Sequence, residues 1–307
     1  MTKTAIAICT YRRPDGLARA LASLEKIKLA SPEIMVVVVD NDPDGSAEDL
    51  VTRLAVSFPH PLSYFAETRK GLANARNAAL TYARQQKIER LAFIDDDEMA
   101  SEGWLQSLLD TMDKTRATLV AGPTYPLFQA PPTNWTPIPA YAYIPHFKGL
   151  VAVDASSANI LIDLEKVAFG FDPVFNESGG EDTEFVARIL KSGGDIGWAP
   201  GAIVWDAIPV ERMQAKWLLR RWFRTGVTEA KIEALRSSIV GGRVRNLSRG
   251  LVRVGFGSLR VMAGAASAIS LGPAKLVASG YTICRGVGYL AGAIGRSYTE
   301  YSPARYR

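Results

Sequence analysis

At 307 residues, with close to half of them apolar, the chain can bury the core of one large α/β domain or of two smaller ones. Its two cysteines, Cys9 and Cys284, lie far apart and exclude a disulfide framework or a cysteine zinc site, and two histidines, His60 and His146, leave little for an imidazole metal centre. The net charge of +5 hides a partition: from Arg236 onward eleven lysines and arginines stand against Glu300 alone, for +10, and the remainder, with 25 basic and 30 acidic residues, carries −5.

Thr4 to Cys9 is the first expected strand, too short for the apolar segment of a secretion signal, so a reducing cytoplasm is expected. Pro14 then suits a first helical turn, with Leu17, Leu21 and Leu24 following at helical spacing. Ile34 to Val39 and Leu62 to Ala66 read as strands, and Gly71 to Gln86, with Leu72, Ala75, Ala79 and Tyr82, as a helix. The strand Leu91 to Ile94 runs without a turn residue into Asp95, Asp96, Asp97 and Glu98. Alternation places Asp95 and Asp97 on one side and Asp96 on the other. Such a cluster repels itself, and a hard divalent cation carrying substrate phosphates would compensate it. The alternative is a solvated acidic turn capping a helix expected over Ser101 to Met112. Strand–helix alternation predicts a mainly parallel, doubly wound sheet with ligands at the carboxyl ends of its strands. Thr10 and Tyr11, then Asp40, Asn41 and Asp42, then Asp95 to Asp97 all fall at such ends.

After Val120 seven prolines from Pro123 to Pro145 are interleaved with Tyr125, Phe128, Trp135, Tyr141, Tyr143 and Phe147. This suits a functional loop with a sugar-facing wall, or plain surface packing. Val151 to Val153 and Asn159 to Ile162 resume as strands. Gly179-Gly180-Glu181-Asp182-Thr183-Glu184 opens a helix with Phe185, Val186, Ile189 and Leu190 on its apolar face, ended by Gly193 and Gly194. Gly197 to Val204 reads as a strand ending at Trp205 and Asp206, and Lys216 to Thr225 packs Arg220, Arg221 and Arg224 around Trp217, Trp222 and Phe223. From Leu251 to Ile294 the chain is apolar but interrupted by Arg253, Arg260, Lys275 and Arg285. Its longest uncharged run, Val261 to Ala274, has 14 residues and contains Gly272-Pro273. That falls short of the roughly 20 residues a bilayer requires. Segmented helices lying on an anionic membrane surface are expected, with a bundle buried in an oligomer as the alternative. Nucleic acid is disfavoured because the basic residues alternate with aliphatics rather than stacking aromatics. Three regions follow: 1–120, 121–235, and 236–307 as a membrane-associated tail.

Cys9-Thr10-Tyr11-Arg12-Arg13, Val39-Asp40-Asn41, Gly71-Leu72-Ala73-Asn74-Ala75-Arg76-Asn77, the Asp95 to Asp97 run and Gly180-Glu181-Asp182 occur in the order seen in family 2 glycosyltransferases. Across residues 4 to 226 the chain resembles their bacterial exopolysaccharide branch, including the β-glucosyltransferases of succinoglycan-type assembly. The resemblance implies a GT-A fold (a mixed, mostly parallel sheet flanked by helices), a nucleotide-diphosphate sugar donor, a UDP-sugar by expectation, Mn²⁺ or Mg²⁺, and inversion at the anomeric carbon. Carried over by position, Thr10, Tyr11 and Asp40 would hold the nucleobase. Arg13, Arg69, Asn74, Arg76 and Asp96 would belong to the nucleotide-sugar site, Arg69, Asn74 and Arg76 near the ribose and diphosphate. Asp97 would be the direct metal ligand, with Asp95 nearer the ribose and metal shell. Where many relatives have Val-x-His, this chain has Val204-Trp205-Asp206, so Asp206 either supplies a metal oxygen or marks a lost contact.

Inverting transfer needs a neutralised leaving diphosphate and a base for the acceptor hydroxyl. Asp182 is the expected base, with Glu181 orienting a sugar. The competing reading is a capping box from Ser178 to Glu181. Arg220, Arg221 and Trp222 are expected near a diphosphate, on the donor or on a lipid-linked saccharide acceptor. The expected enzyme is peripheral, on the cytoplasmic face of the inner membrane, adding one sugar per encounter. Two alternatives stay open: a sugar nucleotidyltransferase, though Thr10 to Pro14 is not the glycine-rich loop it would carry, and a non-catalytic membrane-anchored nucleotide-sugar-binding scaffold.

Overall fold

A computed structural model of the protein describes residues 3–29, 34–148, 151–152, 154–236 and 239–296. In chain order the elements are β1 (Thr4–Thr10), α1 (Pro14–Leu24), β2 (Ile34–Asp40), α2 (Glu48–Ala55), β3 (Leu62–Ala66), α3 (Leu72–Gln85), β4 (Arg90–Asp95), β5 (Glu98–Ala100), α4 (Trp104–Thr115), β6 (Leu119–Ala121), β7 (Thr124–Phe128), β8 (Phe147–Lys148), β9 (Val151–Ala152), β10 (Asn159–Asp163), α5 (Glu181–Lys191), β11 (Ile196–Trp198), β12 (Val204–Ile208), α6 (Ala215–Arg236), α7 (Ile239–Leu271), α8 (Ala274–Ser279) and α9 (Tyr281–Ala293).

Contacts group these into two units, 1–125 with 142–176 and 181–207, and 126–141 with 177–180 and 208–307. The first is built on a seven-stranded sheet of order β11-β6-β10-β4-β1-β2-β3. Only β10 runs against its neighbours, so the sheet is the mixed, mostly parallel one expected. Val36 to Val39 and Leu91 to Ile94 are buried on both faces, as central strands covered by helices must be. On one side Leu17, Leu21 and Leu24 of α1 join Trp104, Leu105 and Leu108 of α4 over Ile6, Ile8 and Val38. On the other the alanine face of α3 and Phe185, Val186 and Ile189 of α5 cover Val37, Phe93 and Ile160. The alanines bring α3 close to the sheet.

Four expectations change. The boundary at 120/121 falls inside the sheet, because β6 pairs with both β11 and β10, and β10 pairs with β4. Residues 208–235 group with the tail. The helix expected from Ser101 begins at Trp104, and the strand expected over Gly197 to Val204 is two strands, β11 and β12, divided by the turn after Trp198, so that Trp205 and Asp206 lie within a strand. Val153, expected at a strand end, lies outside the described residues.

In the second unit α6, α7 and α9 pack along one another. A Cβ on Gly226 of α6 would sit 2.2 Å from the Arg285 carbonyl oxygen, and one on Gly288 of α9 at 2.2 Å from that of Phe223, so both glycines admit a close helix crossing. A small core of Tyr141, Ile208, Leu218, Trp222 and Val277 completes the unit. The tail is less segmented than its charges suggest. Arg243, Arg245, Arg249, Arg253 and Arg260 all ride on one 33-residue helix, α7, because arginine is a good helix former and its charged end reaches solvent. The break comes at Gly272, with φ +89°, and Pro273. Among the described residues one helix, over Gly241–Leu271, is long and apolar enough to cross a membrane by length and composition, and 11% of its most apolar stretch is buried.

Candidate active site

The parallel register brings the expected residues to one sheet edge. Thr10 at the end of β1 pairs with Asp40 at the end of β2, and Cys9 pairs with Asp95 at the end of β4. Past Asp95 the strand turns at Asp96 and Asp97, so simple alternation stops there and each acid takes its own partner. Thr10 Oγ1 donates to Asp96 Oδ2 at 2.8 Å. Arg13, at the start of α1, bridges Asp96 and Asp97 with Nη1 at 3.1 Å from each. Asp95 receives Arg76 Nη2 at 3.2 Å. Two arginines therefore supply part of the positive charge that the cluster demands.

They do not supply all of it. Glu98, the fourth acid of the run, for which no separate role was expected, is buried, accepts from the Asp95 N–H at 3.1 Å and stands opposite Asp206 in the β5–β12 pair. Burial, then the charges of Asp95 and Asp206, hold its carboxyl well above the usual range. Burial likewise pushes Asp96 up to about 6 against the opposing pull of Arg13. Its position at the end of the acidic run was the signal for Glu98. Only the β5–β12 pairing reveals its neighbour.

The chemistry of this donor set suits a hard cation. Among the described residues no three His, Cys, Asp or Glu side chains converge as a self-contained cage. A cation held by one or two carboxylates plus substrate phosphates does not need one. Asp95 and Asp97 are the carboxylates that open outward, with side chains 38% and 21% exposed, whereas Asp96 at 7% faces inward.

Other expected donor contacts are distributed differently. Tyr11 lies beneath Arg12 and Lys70, 5.4 and 5.8 Å from its ring centre, so its face belongs to a cationic rim. Asp40 is fully buried; its oxygens accept from the N–H groups of Asp42 and Ala47 and from Tyr64 OH, so it shapes the loop after β2 rather than facing a base. Arg69 projects outward while bound to Glu67. Asn74 closes the turn ahead of it by donating to the carbonyls of Arg69 and Lys70. Arg76 is 3% exposed, its guanidinium spent on Glu181 and Asp95, so it does not lie open to a diphosphate.

At the start of α5 the two acids separate in role. Glu181 is buried, one oxygen on Arg76 and the other, Oε2, without a hydrogen-bond partner among the described residues. Neither oxygen makes the capping box. Asp182 is half-exposed and accepts from the Thr183 N–H at 2.6 Å. Its charge reaches Asp95 and Arg76. Tyr143, absent from the expected set, donates to Asp154 at 3.3 Å. Burial, then the charges of Asp154 and Asp182, hold its hydroxyl in the neutral form. In the second unit Trp222 belongs to the helical core, 6% exposed, and Arg221 stacks over Trp217 at 5.2 Å. Arg220 is exposed. Trp222 is thus packing rather than a ligand contact.

The mixed, mostly parallel sheet that carries this carboxylate cluster at its strand ends has the fold of a GT-A glycosyltransferase. Solved structures agree on the fold. The mannosyltransferase PcManGT from Pyrobaculum calidifontis, in complex with GDP-Man and Mn²⁺, superposes with a TM-score of 0.62 at 17% identity, over 94% of this chain and 87% of that one. GalNAc-T7 with UDP, GalNAc and Mn²⁺ gives a TM-score of 0.55 at 15% identity, over 75% of this chain and 50% of that one. Residues 5–168 match the family described as Glycosyl transferase family 2. The chain is also 32% identical over 240 residues to the succinoglycan biosynthesis protein ExoM of Rhizobium meliloti (strain 1021), covering 75% of this chain and 74% of that protein. The protein belongs to glycosyltransferase family 2.

Proposed function

We propose that this protein transfers a hexosyl unit, with inversion, from a nucleotide-diphosphate sugar to a polyprenyl-diphosphate-linked saccharide in bacterial exopolysaccharide assembly. The observation that carries this reading is the outward-opening Asp95 and Asp97 tied through Arg76 to Glu181, the residue before Asp182. The biosynthetic role rests on the likeness to the succinoglycan biosynthesis protein, and the lipid-linked acceptor on the basic, apolar tail. The donor nucleotide is taken as uridine from the family resemblance; of the solved neighbours one holds UDP and another GDP-Man.

Asp95 and Asp97 would hold Mn²⁺ or Mg²⁺, with Asp206, opposite Glu98 in the β5–β12 pair, as a further oxygen. The cation would supply electrostatic neutralisation of the departing diphosphate. Asp182 accepts the proton of the acceptor hydroxyl. The hydroxyl oxygen forms its bond to the anomeric carbon as the bond from that carbon to the diphosphate oxygen breaks, and the electron pair leaves with the diphosphate. Arg13 holds Asp96 and Asp97 in place, and Tyr11 with Arg12 and Lys70 forms the rim that receives the nucleotide. In the tail, Leu251, Phe256, Leu259 and Met262 of α7 are exposed among arginines, which supports a peripheral seat on an anionic leaflet, on the cytoplasmic face where lipid-linked acceptors and nucleotide sugars meet.

The test is transfer from a panel of UDP-, GDP- and dTDP-sugars by membranes carrying the protein, beside Asp97→Ala and Asp182→Asn. One donor should react, and both variants should lose transfer. Reaction with none, under Mn²⁺ or Mg²⁺, would overturn the reading.

A further inference from the structure

The residue that ties the two acidic motifs together is not itself acidic. Arg76 leaves the second turn of α3 and is 3% exposed; Nη1 binds Glu181 Oε1 and Nη2 binds Asp95 Oδ1. One guanidinium therefore joins the carboxyl end of β4 to the amino end of α5, with Phe171 against its side at 5.6 Å.

The same helix grips the chain leading to α5 at two further points. Asn77 donates to the Phe171 carbonyl at 2.8 Å and accepts from its N–H at 2.7 Å. Asn176 Oδ1 accepts from the Asn74 N–H at 3.3 Å. Asn176 also fills the space beside Gly71, where a Cβ would meet its Cγ at 2.2 Å. Gly71 has φ +130°, a conformation that favours glycine. Thus α3 fixes residues 171–176 through backbone-directed bonds and Glu181 through Arg76.

We infer that Arg76 is the positioning residue that sets Asp182 against the outward-opening pair Asp95 and Asp97. It holds Asp95 with one arm and Glu181, the residue before Asp182, with the other. Lysine cannot do this, because a single ammonium lacks the planar fork that spans two carboxylates in fixed directions. The inference rests on the glycosyl-transfer reading only for its effect on rate. The physical tie is independent of it.

The experiment compares wild type, Arg76→Lys, Glu181→Gln and Asp182→Asn by steady-state kinetics and by hydrogen–deuterium exchange over 181–191. Arg76→Lys should lower kcat by about 10²-fold, the effect of a misplaced reacting group, and leave the donor KM within about threefold. It should also speed exchange at the start of α5. Glu181→Gln keeps an acceptor for Arg76, so its kcat should fall less than that of Arg76→Lys, while Asp182→Asn loses turnover with exchange unchanged. A tenfold rise in donor KM with kcat intact in Arg76→Lys would make Arg76 a diphosphate contact and overturn the inference. So would Glu181→Gln as inactive as Asp182→Asn. Unchanged exchange over 181–191 in Arg76→Lys overturns the tie itself, whether or not any sugar is transferred. If Arg76→Lys does not fold, Glu181→Gln decides by the same two readouts. If wild type moves no sugar while Arg76→Lys still loosens α5, the function fails and the tie stands.

Discussion

Asn41 Oδ1 accepts the N–H of Gly71 at 2.7 Å, joining the loop after β2 to the residue that opens α3. The Nδ2 of the same side chain donates to the carbonyls of Glu67 and Arg69 at 2.8 and 2.9 Å. All of this happens in a side chain that is almost fully buried. Asn41→Ala would leave three backbone groups unsatisfied and should lower unfolding free energy by about 2–4 kcal/mol, measured by urea denaturation. Asn41→Asp should be at least as damaging, because its carboxylate would face two carbonyl oxygens.

Phe185 of α5 stacks on Phe171 at 4.2 Å and meets Phe169 edge-on at 5.5 Å. It is fully buried. Phe185→Ala should cost about 3–5 kcal/mol in the same assay, whereas Phe185→Leu, which refills most of the space, should cost clearly less.

Asp42 is buried beneath Arg12, whose Nε and Nη2 reach it at 2.9 and 3.1 Å. Burial pushes its carboxyl up, but bonds from Arg12, the Asp44 N–H and Ser46 outweigh this and hold it below the usual value of 3.8. A folded-state value below the unfolded one stabilises the fold above pH 3.8 and ceases to as pH falls through the folded value. Arg12→Ala should therefore be less stable than wild type at pH 7, and the gap in melting temperature should narrow as pH falls below 3.8.

Chelation with EDTA should abolish sugar transfer, and Mn²⁺ or Mg²⁺ should restore it to wild type but not to Asp97→Ala. The same protein, titrated with UDP by calorimetry, should bind more weakly without the metal. Transfer that survives chelation would assign charge neutralisation to arginines alone.

Arg243 and Arg260 are exposed on α7. At about 1 kcal/mol per basic residue near an anionic leaflet, Arg243→Ala with Arg260→Ala should weaken co-sedimentation with phosphatidylglycerol vesicles about 30-fold. Raised salt should reproduce part of this in wild type.

The placement of Thr10, of the acidic run from Asp95 and of Asp182 was legible from the chain, because a parallel sheet delivers its strand ends to one edge whatever the loops do. Arg76, Asp40 and Trp222 were misplaced for a shared reason. Each has a side chain that reads as a ligand contact in a motif and packs as an interior group in three dimensions. Whether a polar side chain faces in or out depends on partners far along the chain, here Glu181 for Arg76 and Tyr64 for Asp40, and no local spacing encodes that.

The tail divides in the same way. Its charge excess, apolar character and Gly272-Pro273 break follow from composition. That one helix carries Arg243 through Arg260 unbroken follows from packing against α9, where Gly250, Gly257 and Gly286 let the backbones approach. The sequence by itself determined the parallel strands, the acids at their ends and the helix that opens at Glu181, since burial periodicity and turn chemistry are local properties. Tertiary structure decided which acids open outward and which are neutralised by Arg13 and Arg76, because charge compensation is settled only when distant residues are brought within a hydrogen bond of one another.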